Sequence, residues 1–158
     1  MVTKKKRFNS AFSMLELVVV VAIIAIIAAI GIPRLSRGTR GASDSALTGD
    51  LAVLRNAIDL YGAEHGGTYP TVADCNDALL KYTDYSGDIA DAKDPTHIYG
   101  PYIRKIPPLP VGAKKGKSGI YDMTGTNVGW IYNNTAGTIK ANCEDSETDD
   151  ASKKYNEY

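Results

Sequence analysis

The feature that most constrains this chain is a long apolar run near its beginning. Residues 17–32 read LVVVVAIIAIIAAIGI and carry no polar side chain, and residues 12–16 extend the run to 21 residues. About 20 residues, at a rise of about 1.5 Å each, span a hydrocarbon core of about 30 Å. Because backbone groups in lipid have no water partners, the run must be helical. The sequence therefore predicts a membrane-spanning helix.

The charges around this run predict its orientation. Lys4–Arg7 is a basic cluster, and the first eleven residues contain no acid. Cytoplasmic flanks of membrane helices are enriched in Lys and Arg, so we expect the chain to begin in the cytoplasm and to continue outside it after Pro33. The whole chain balances 18 Lys and Arg against 18 Asp and Glu. It lacks the basic excess of a nucleic-acid-binding protein.

One carboxylate, Glu16, lies inside the apolar segment. A charge in a membrane helix costs about 2.5–3.5 kcal/mol on insertion scales, and such residues are usually functional. Glu16 could lie near the lipid headgroups, or it could meet a cation. Cleavage between Ala11 and Phe12 would create that cation, an α-amino group. In an array of parallel helices, Glu16 of one copy could pair with the Phe12 ammonium of a shifted neighbour and set their register.

Two simpler interpretations compete with this one. A secretory signal peptide has a core of about 7–15 apolar residues followed by a small-x-small cleavage site. This core is longer, and the basic stretch PRLSRGTRG follows it. A plain N-terminal anchor accounts for the length of the run and leaves Glu16 unexplained.

The N-terminal residues resemble the class III signal of type IV pilins and of the pseudopilins of type II secretion. The family pattern is a basic leader, a small residue, Phe, Glu as the fifth residue after the cut, and a long apolar helix. Here it reads KKKRFNSA followed by FSMLELVVVVAIIAIIAAIGIP. Gly usually precedes the cut, where this chain has Ala11, and Pro33 lies where the family commonly has a helix-kinking proline.

The resemblance implies processing and polymerisation. A prepilin peptidase would cut the Ala11–Phe12 bond and N-methylate Phe12, and Glu16 would serve subunit assembly. From the residues themselves, Gly31 and Pro33 weaken a helix, so this stretch is either a linker between the span and the domain or a helix that can kink. The partners implied are the prepilin peptidase/methyltransferase, an inner-membrane assembly platform, minor pseudopilins, and further copies of this chain in a homo-oligomeric filament.

The resemblance also implies a location and a role. The chain would be a single-pass protein of the bacterial inner membrane with its C-terminal domain in the periplasm, and it would later enter a pseudopilus or pilus. It would be a structural subunit and not an enzyme. No nucleophile–base pair, phosphate-binding loop or cluster of metal ligands stands out in the sequence.

The rest of the chain predicts an α+β domain of the pilin type. Leu47, Leu51, Leu54, Ile58 and Tyr61 recur at helical spacing and form an apolar stripe that ends before Gly66-Gly67. A long N-terminal helix, membrane-spanning in its first half, would therefore pack on a small antiparallel sheet. The predicted organisation is a leader at 1–11, a transmembrane helix at 12–33, a domain at 34–143 with helices 43–66 and 71–82, a loop at 83–118 and strands at 119–143, and an acidic polar tail at 144–158.

Within this domain the sequence makes several local predictions. Thr71 and Asp74 form a weak capping box for the short helix. Residues 134–137 read NTAG and predict a hairpin between the last two strands. His65 is expected to be an exposed residue at the helix end. The tail, EDSETDDASKKYNEY, is expected to be poorly ordered.

Two features leave alternatives open. Cys75 and Cys143 would both lie outside the cytoplasm, so they favour one disulfide over two free buried thiols. Asp84, Asp88, Asp91 and Asp94 lack the spacing of a calcium loop. We therefore expect no metal site and no cofactor, and calcium held by these aspartates or by the tail is the alternative.

The sequence also leaves the type of filament open. The segments GTYPT, GPYIRKIPPLP and GWIYNNTAGTI are similar to major pseudopilins and favour a pseudopilin of type II secretion. The alternatives are a type IV pilin for adhesion or motility and, from another class of protein, a membrane-anchored periplasmic binding module.

Overall fold

The structure, a computed structural model, describes residues 13–158, with the side chains of residues 32–37 left out. The chain divides into two compact units, with the boundary between Thr39 and Arg40. The elements are α1 (Met14–Glu64), α2 (Cys75–Leu80), β1 (Tyr82–Thr83), β2 (Ile89–Ala90), β3 (Gly119–Tyr121), β4 (Val128–Asn133), β5 (Thr138–Ala141) and a short 3-10 helix, Tyr155–Glu157. A long N-terminal helix combined with small sheets confirms the predicted α+β class.

The apolar stripe of α1 forms one side of the core of the second unit. All five predicted stripe residues are buried, and Tyr61, the most exposed of them, is only 4% exposed. The other side of the core comes from α2, from the loop before β3 and from the sheet. Its largest members are Leu79, Leu109, Ile120, Trp130 and Tyr132. Burial of these side chains is the main stabilising term of the domain.

Helix α1 ends in a glycine cap, as the sequence predicts. Gly66 has a φ of 64°, and the Gly67 N–H donates to the carbonyl oxygen of Gly62 at 2.7 Å. This is the 6→1 hydrogen bond of a Schellman motif, in which a glycine in the left-handed region closes the last turn. The last α-helical residue is Glu64, two residues before the predicted end.

The prediction that His65 is exposed is wrong. The residue is 4% exposed, and its ring stacks on Tyr61 at a centroid distance of 3.7 Å. The Nδ1 atom lies 2.7 Å from the Tyr61 carbonyl oxygen, which can only accept, so Nδ1 carries a proton. The Nε2 atom lies 3.1 Å from the hydroxyl of Thr83. His65 therefore continues the stripe by one more step of four residues.

The second helix is shorter than the predicted range of 71–82. The Asp74 N–H donates to the Thr71 hydroxyl oxygen at 3.2 Å, and the Thr71 hydroxyl donates to the Asp74 carboxylate at 2.7 Å. Only the first of these contacts is that of the predicted capping box, and the two together close a turn, because α2 itself begins at Cys75. At Lys81 the backbone becomes extended, which ends the helix and leads into β1.

The segment predicted as a loop, 83–118, contains part of a second, two-stranded sheet. Strands β1 and β2 pair antiparallel, with Thr83 opposite Ile89. The turn between them is closed by Asp84, whose Oδ1 accepts the backbone N–H of Asp88 at 2.9 Å, and by Gly87 with a φ of 92°. Such short strands carry too little periodic signal to be predicted from sequence.

The three-stranded sheet has the order β3-β4-β5. Strands β4 and β5 form the predicted antiparallel hairpin, in which Asn133 pairs with Thr138 and its Oδ1 accepts the N–H groups of Thr135 and Ala136. The pair β3–β4 is parallel and contains a register shift between Gly119 and Ile120, which differs from the predicted all-antiparallel sheet.

The Asn76 side chain takes the place of a further strand beside β3. Its Nδ2 donates to the Ile120 carbonyl oxygen at 3.0 Å, and its Oδ1 accepts the Ile120 N–H at 3.1 Å. One amide group thus satisfies both backbone groups of a residue whose side chain is fully buried. It also ties α2 to the sheet.

The prediction that the tail is poorly ordered is wrong. Residues 144–158 fold back on the domain, and the rings of Tyr155 and Tyr158 pack against the core. The Tyr155 hydroxyl donates to Asp44 at 2.9 Å, and the Arg55 guanidinium donates to the main-chain oxygen of Tyr158 at 2.5 Å. Composition alone described the tail as polar, whereas its two tyrosines supply the apolar contacts that order it.

Replacing Asn76 by alanine should destabilise the domain. The variant leaves both backbone groups of Ile120 without these partners, and each lost hydrogen bond to a buried group costs about 1–3 kcal/mol. Chemical denaturation of the full-length chain in detergent, followed by Trp130 fluorescence, measures the change. Asn134→Ala, in the exposed hairpin loop, is the matched control and should stay within about 0.5 kcal/mol of the original chain. Equal stabilities for the two variants would contradict the role of Asn76.

Candidate functional site

The first part of α1 presents an apolar surface that nothing in the described chain covers. At the start of the helix, the Leu17 N–H donates to the Ser13 carbonyl oxygen at 3.1 Å. Met14–Gly31 is long and apolar enough to cross a membrane, with a mean hydropathy of 2.9, and none of this window is buried. Its large side chains are between 44% exposed at Val20 and 85% exposed at Met14.

The length and the exposed apolar surface of Met14–Gly31 together suit it to contact with lipid or with other helices. Its 18 residues make about 27 Å of helix, close to the thickness of the hydrocarbon core. A contiguous apolar patch of this size is rare on a soluble monomer and marks a surface that lipid or another protein covers. A shell of lipid or a bundle of like helices would each remove it from water.

Glu16 lies in the first turn of α1 and is exposed. Within residues 13–33 it is the only ionisable side chain. Its carboxylate complements the positive end of the helix dipole at this position. By helical spacing it shares a face with Val20, Ile23 and Ile27. Among the residues that the structure describes, no side chain forms an ion pair or hydrogen bond with Glu16, which leaves its carboxylate free for a group from another molecule.

Two of the predicted site residues, Ala11 and Phe12, lie outside the described residues. Cleavage at Ala11–Phe12 and the pairing of Phe12 with Glu16 of a neighbouring copy therefore stay predictions. Gly31 and Pro33 lie within α1, and a Cβ placed on Gly31 would have no atom within 4 Å. The helix kink at these two positions stays a prediction.

The two cysteines are free thiols in the structure, so the predicted disulfide is not confirmed. Cys75 is fully buried at the start of α2, and burial raises its pKa to about 12. Cys143 is half-buried after β5, and burial together with the neighbouring carboxylate of Glu147 raises its pKa to about 12. Both thiols are therefore protonated at neutral pH, which makes them poor nucleophiles.

A histidine links the aspartates that follow α2. His97 Nδ1 lies 2.8 Å from Asp94 Oδ2, and its Nε2 lies 3.3 Å from Asp88 Oδ2. The hydrogen bond with Asp94 raises the pKa of the imidazole. The pKa of Asp94 is well below its usual range because its carboxylate accepts the backbone N–H of His97 and the hydroxyl of Thr96.

Sequence reasoning missed this network because His97 had no obvious partner, although the spacing Asp94-x-x-His97 around Pro95 was visible. The sequence left calcium binding by these aspartates as an alternative. Within residues 13–158, no group of three or more His, Cys, Asp or Glu side chains is arranged to hold a metal ion. In the structure the carboxylates instead accept hydrogen bonds from His97, from hydroxyls and from backbone amides.

Comparison with known proteins gives one match. Residues 6–32 match the family model described as the prokaryotic N-terminal methylation motif. The match contains the predicted cleavage site, Glu16 and Gly31, and it supports a type IV pilin-like subunit with a membrane anchor. No curated protein and no solved structure matches the chain.

The contact of His97 with Asp94 should make the stability of the segment around these two residues depend on pH. Because the pKa of the imidazole is raised in the folded chain, the ion pair stabilises the fold fully below the ordinary His pKa. This contribution is lost as the pH rises through the raised value. Titration of the His97 ring protons by NMR should give a midpoint that Asp94→Asn lowers. Asp122→Asn, which removes a carboxylate outside this network, is the control, and an unchanged midpoint in Asp94→Asn would contradict the assignment.

Proposed function

We propose that this chain is a structural subunit of a type IV pilus-like filament, and more narrowly a major pseudopilin of the type II secretion pseudopilus. One combination of observations carries the proposal. The methylation motif at residues 6–32 overlaps Met14–Gly31, the apolar first part of α1, none of which is buried and whose one carboxylate, Glu16, lies in the first turn. A structural role explains these features together, and no enzymatic activity is proposed.

The first step is processing at the membrane. A prepilin peptidase would hydrolyse the Ala11–Phe12 bond on the cytoplasmic side and methylate the new amino group of Phe12. Ala11 is small, as the residue before the cut must be. The loss of Lys4–Arg7 with the leader also removes the basic cluster that holds the start of the chain in the cytoplasm.

The second step is storage of the subunit in the inner membrane. The exposed side chains of Met14–Gly31 would be covered by lipid, and the unit from Arg40 onward would lie in the periplasm. Transfer to a filament exchanges lipid contacts for helix–helix contacts of similar apolarity. The apolar surface therefore favours both states, and the choice between them depends on polar groups and on the assembly platform with its minor pseudopilins.

Glu16 is the polar group that distinguishes the two states. In lipid its carboxylate has no fixed partner among the described residues, whereas in a bundle of parallel helices it would meet the Phe12 ammonium of a neighbouring copy. Pairing offsets the desolvation of both charges only when the geometry is good, so it selects one axial register. The resemblance to type IV pilins assigns the same assembly role to the glutamate at this position.

Three segments that resemble major pseudopilins are joined by contacts, which supports the narrower proposal. The Tyr132 hydroxyl, in GWIYNNTAGTI, donates to the Pro70 carbonyl oxygen of GTYPT at 3.1 Å. The Trp130 Nε1–H of the same strand donates to the Pro107 carbonyl oxygen of GPYIRKIPPLP at 2.8 Å. Strand β4 therefore connects all three segments around one buried aromatic pair.

A further contact within the domain accounts for the tyrosine of the segment GTYPT. The Tyr69 ring packs between Gly62 on α1 and Gly137 in the hairpin, and a Cβ at either glycine would collide with it.

The alternatives to this proposed function are a type IV pilin for adhesion or motility and a membrane-anchored periplasmic binding module. Deletion of the gene separates the two types of filament. Loss of protein export supports the pseudopilin, whereas loss of motility or adhesion with normal export supports the pilin.

The processed chain should begin at Phe12 and carry one added methyl group. Intact-mass measurement and N-terminal sequencing of protein purified from membranes of its own host check this. A variant with Ala11→Lys, which places a bulky charge before the cut, should keep the leader, whereas Ala11→Gly should be processed at least as well as the original chain. An intact Met1 in the purified chain would contradict the proposed function.

Removing the charge of Glu16 should impair assembly and leave membrane insertion intact. Glu16→Gln keeps the shape of the side chain but leaves the Phe12 amine of the neighbour unpaired. We expect filament yield to fall by at least about tenfold, because breaking a buried ion pair is strongly unfavourable. Sedimentation of sheared filaments and membrane fractionation measure the two properties. Glu16→Asp keeps the charge and should assemble better than Glu16→Gln, whereas full assembly of Glu16→Gln would remove the proposed pairing.

A further inference from the structure

Two surface loops of the second unit carry opposite charge. The stretch that contains the first loop, residues 98–121, has five basic residues and no acid. The stretch that contains the second loop, residues 71–97, has six aspartates and two lysines. We call Leu109–Lys117, with Lys114, Lys115 and Lys117, the lysine loop. We call Asp84–His97, with its four aspartates, the aspartate loop.

The lysine loop has a fixed backbone and unpaired ammonium groups. Its ends are joined by the Leu109 N–H, which donates to the Lys117 carbonyl oxygen at 2.8 Å, and by the Gly116 N–H, which donates to the Leu109 carbonyl oxygen at 2.8 Å. Among the side chains that the structure describes, no carboxylate lies within 4 Å of the three lysine ammonium groups. The backbone therefore holds three charges that have no partner within the described chain.

The neighbouring tail does not supply that partner, because none of its carboxylates lies within 4 Å of these lysines and most of them are already engaged. The Glu147 carboxylate accepts the backbone N–H groups of Ala113 and Glu144 at 2.5 and 2.8 Å. Asp145 is paired with Lys154 at 2.8 Å, and Asp149 accepts the hydroxyl of Tyr158.

The aspartate loop has more carboxylates than cations. Lys81 is shared by Asp77 and Asp91, at 3.4 and 3.0 Å, and His97 is shared by Asp88 and Asp94. The side chains of Asp88 and Asp91 remain 77% and 88% exposed. The loop itself holds four aspartates against Lys93 and His97, so it keeps a net negative charge that Lys81, which precedes it, does not neutralise.

Exposed apolar side chains flank both loops. Tyr85, within the aspartate loop, is 65% exposed, and Ile98, directly after the loop, is 49% exposed. Tyr121 and Met123 are 44% and 68% exposed in the segment that follows the lysine loop. Aromatic and Met side chains are enriched in protein–protein interfaces, so each loop presents a mixture of charged and apolar groups that is typical of such surfaces.

The two loops lie toward opposite ends of the helical segment Asp44–Glu64. Gly112, in the lysine loop, approaches the Cys143 Sγ atom, and the tail beyond Cys143 reaches Asp44 through Tyr155. At the other end, a Cβ on Gly66 would lie 2.6 Å from the Tyr85 hydroxyl. Since 20 residues of α-helix measure about 30 Å, copies shifted along this axis can bring one loop against the other.

We propose that the lysine loop of one copy docks on the aspartate loop of a second copy, an inference that rests on the proposed filament. The contact is head-to-tail, and a head-to-tail contact that does not close a ring generates an open helical assembly. This water-exposed contact would fix the axial register of neighbouring copies at a second place, in addition to the pairing of Glu16. The contact is salt-sensitive, because it joins exposed charges.

Paired charge reversals in the full-length chain test this contact. Lys114→Glu with Lys115→Glu, and separately Asp88→Lys with Asp91→Lys, should each lower the sedimented filament fraction by about tenfold through like-charge repulsion. Combining all four changes should restore at least half of the original yield. Lys105→Glu with Lys140→Glu is the matched control, since both lysines are exposed and unpaired in the described chain, and it should assemble normally.

Carbodiimide cross-linking of filaments gives the second readout. In filaments grown from mixed unlabelled and ¹⁵N-labelled chains, a mixed-label peptide joining Lys115 to Asp91 or Asp88 supports the contact. Filaments that tolerate both reversals, or a quadruple variant that stays defective while its thermal unfolding is unchanged, overturn it. If only the lysine reversal impairs assembly, the lysines act on a group other than the aspartate loop and the contact is overturned.

The same experiment separates this inference from the proposed function. Original chains that keep Met1 and never sediment overturn the filament, and the contact falls with it. Original chains that begin with methylated Phe12 and sediment normally, together with reversal variants that do the same, overturn the contact alone.

Discussion

The exposed apolar surface of Met14–Gly31 is the constraint on which the rest of this protein depends. A helix whose large side chains are about half exposed or more is typical of a segment that lipid or another protein covers. Dispersion and hydrophobic contacts are similar in the two settings, and they do not select between them. Selection then falls to a small number of polar groups, and Glu16 is the one ionisable side chain in residues 13–33.

The second unit solves a different problem with the same helix. From Arg40 onward, α1 has one buried stripe, and the sheet, α2 and the tail close around it. Side chains that imitate backbone partners hold this arrangement: Asn76 beside β3, and Glu147 between the lysine loop and the tail. Such contacts join segments without additional strands, and the one made by Glu147 ties the lysine loop to the tail.

Sequence predicted the parts of this fold that rest on periodicity and on local turn chemistry. The stripe from Leu47 to Tyr61, the glycine cap and the β4–β5 hairpin all depend on residues near one another in the chain. His65 was misjudged because the glycines beside it outweighed its place in the stripe. The tail was misjudged because its order depends on Asp44 and Arg55, about a hundred residues away. The candidate assembly helix was predictable because length and apolarity suffice, whereas the loop-to-loop charges needed three-dimensional placement.

The Tyr69 ring between Gly62 and Gly137 has a consequence for how the domain forms. Tyr69 follows the end of α1, and its ring lies back against Gly62 of that helix. The hairpin packs over the ring at Gly137, where a Cβ would collide with it. The helix end, the following turn and the last two strands are thereby coupled into one cooperative folding unit. Opening of the hairpin would uncover the end of the helix as well, so this edge of the domain loosens or holds as a whole.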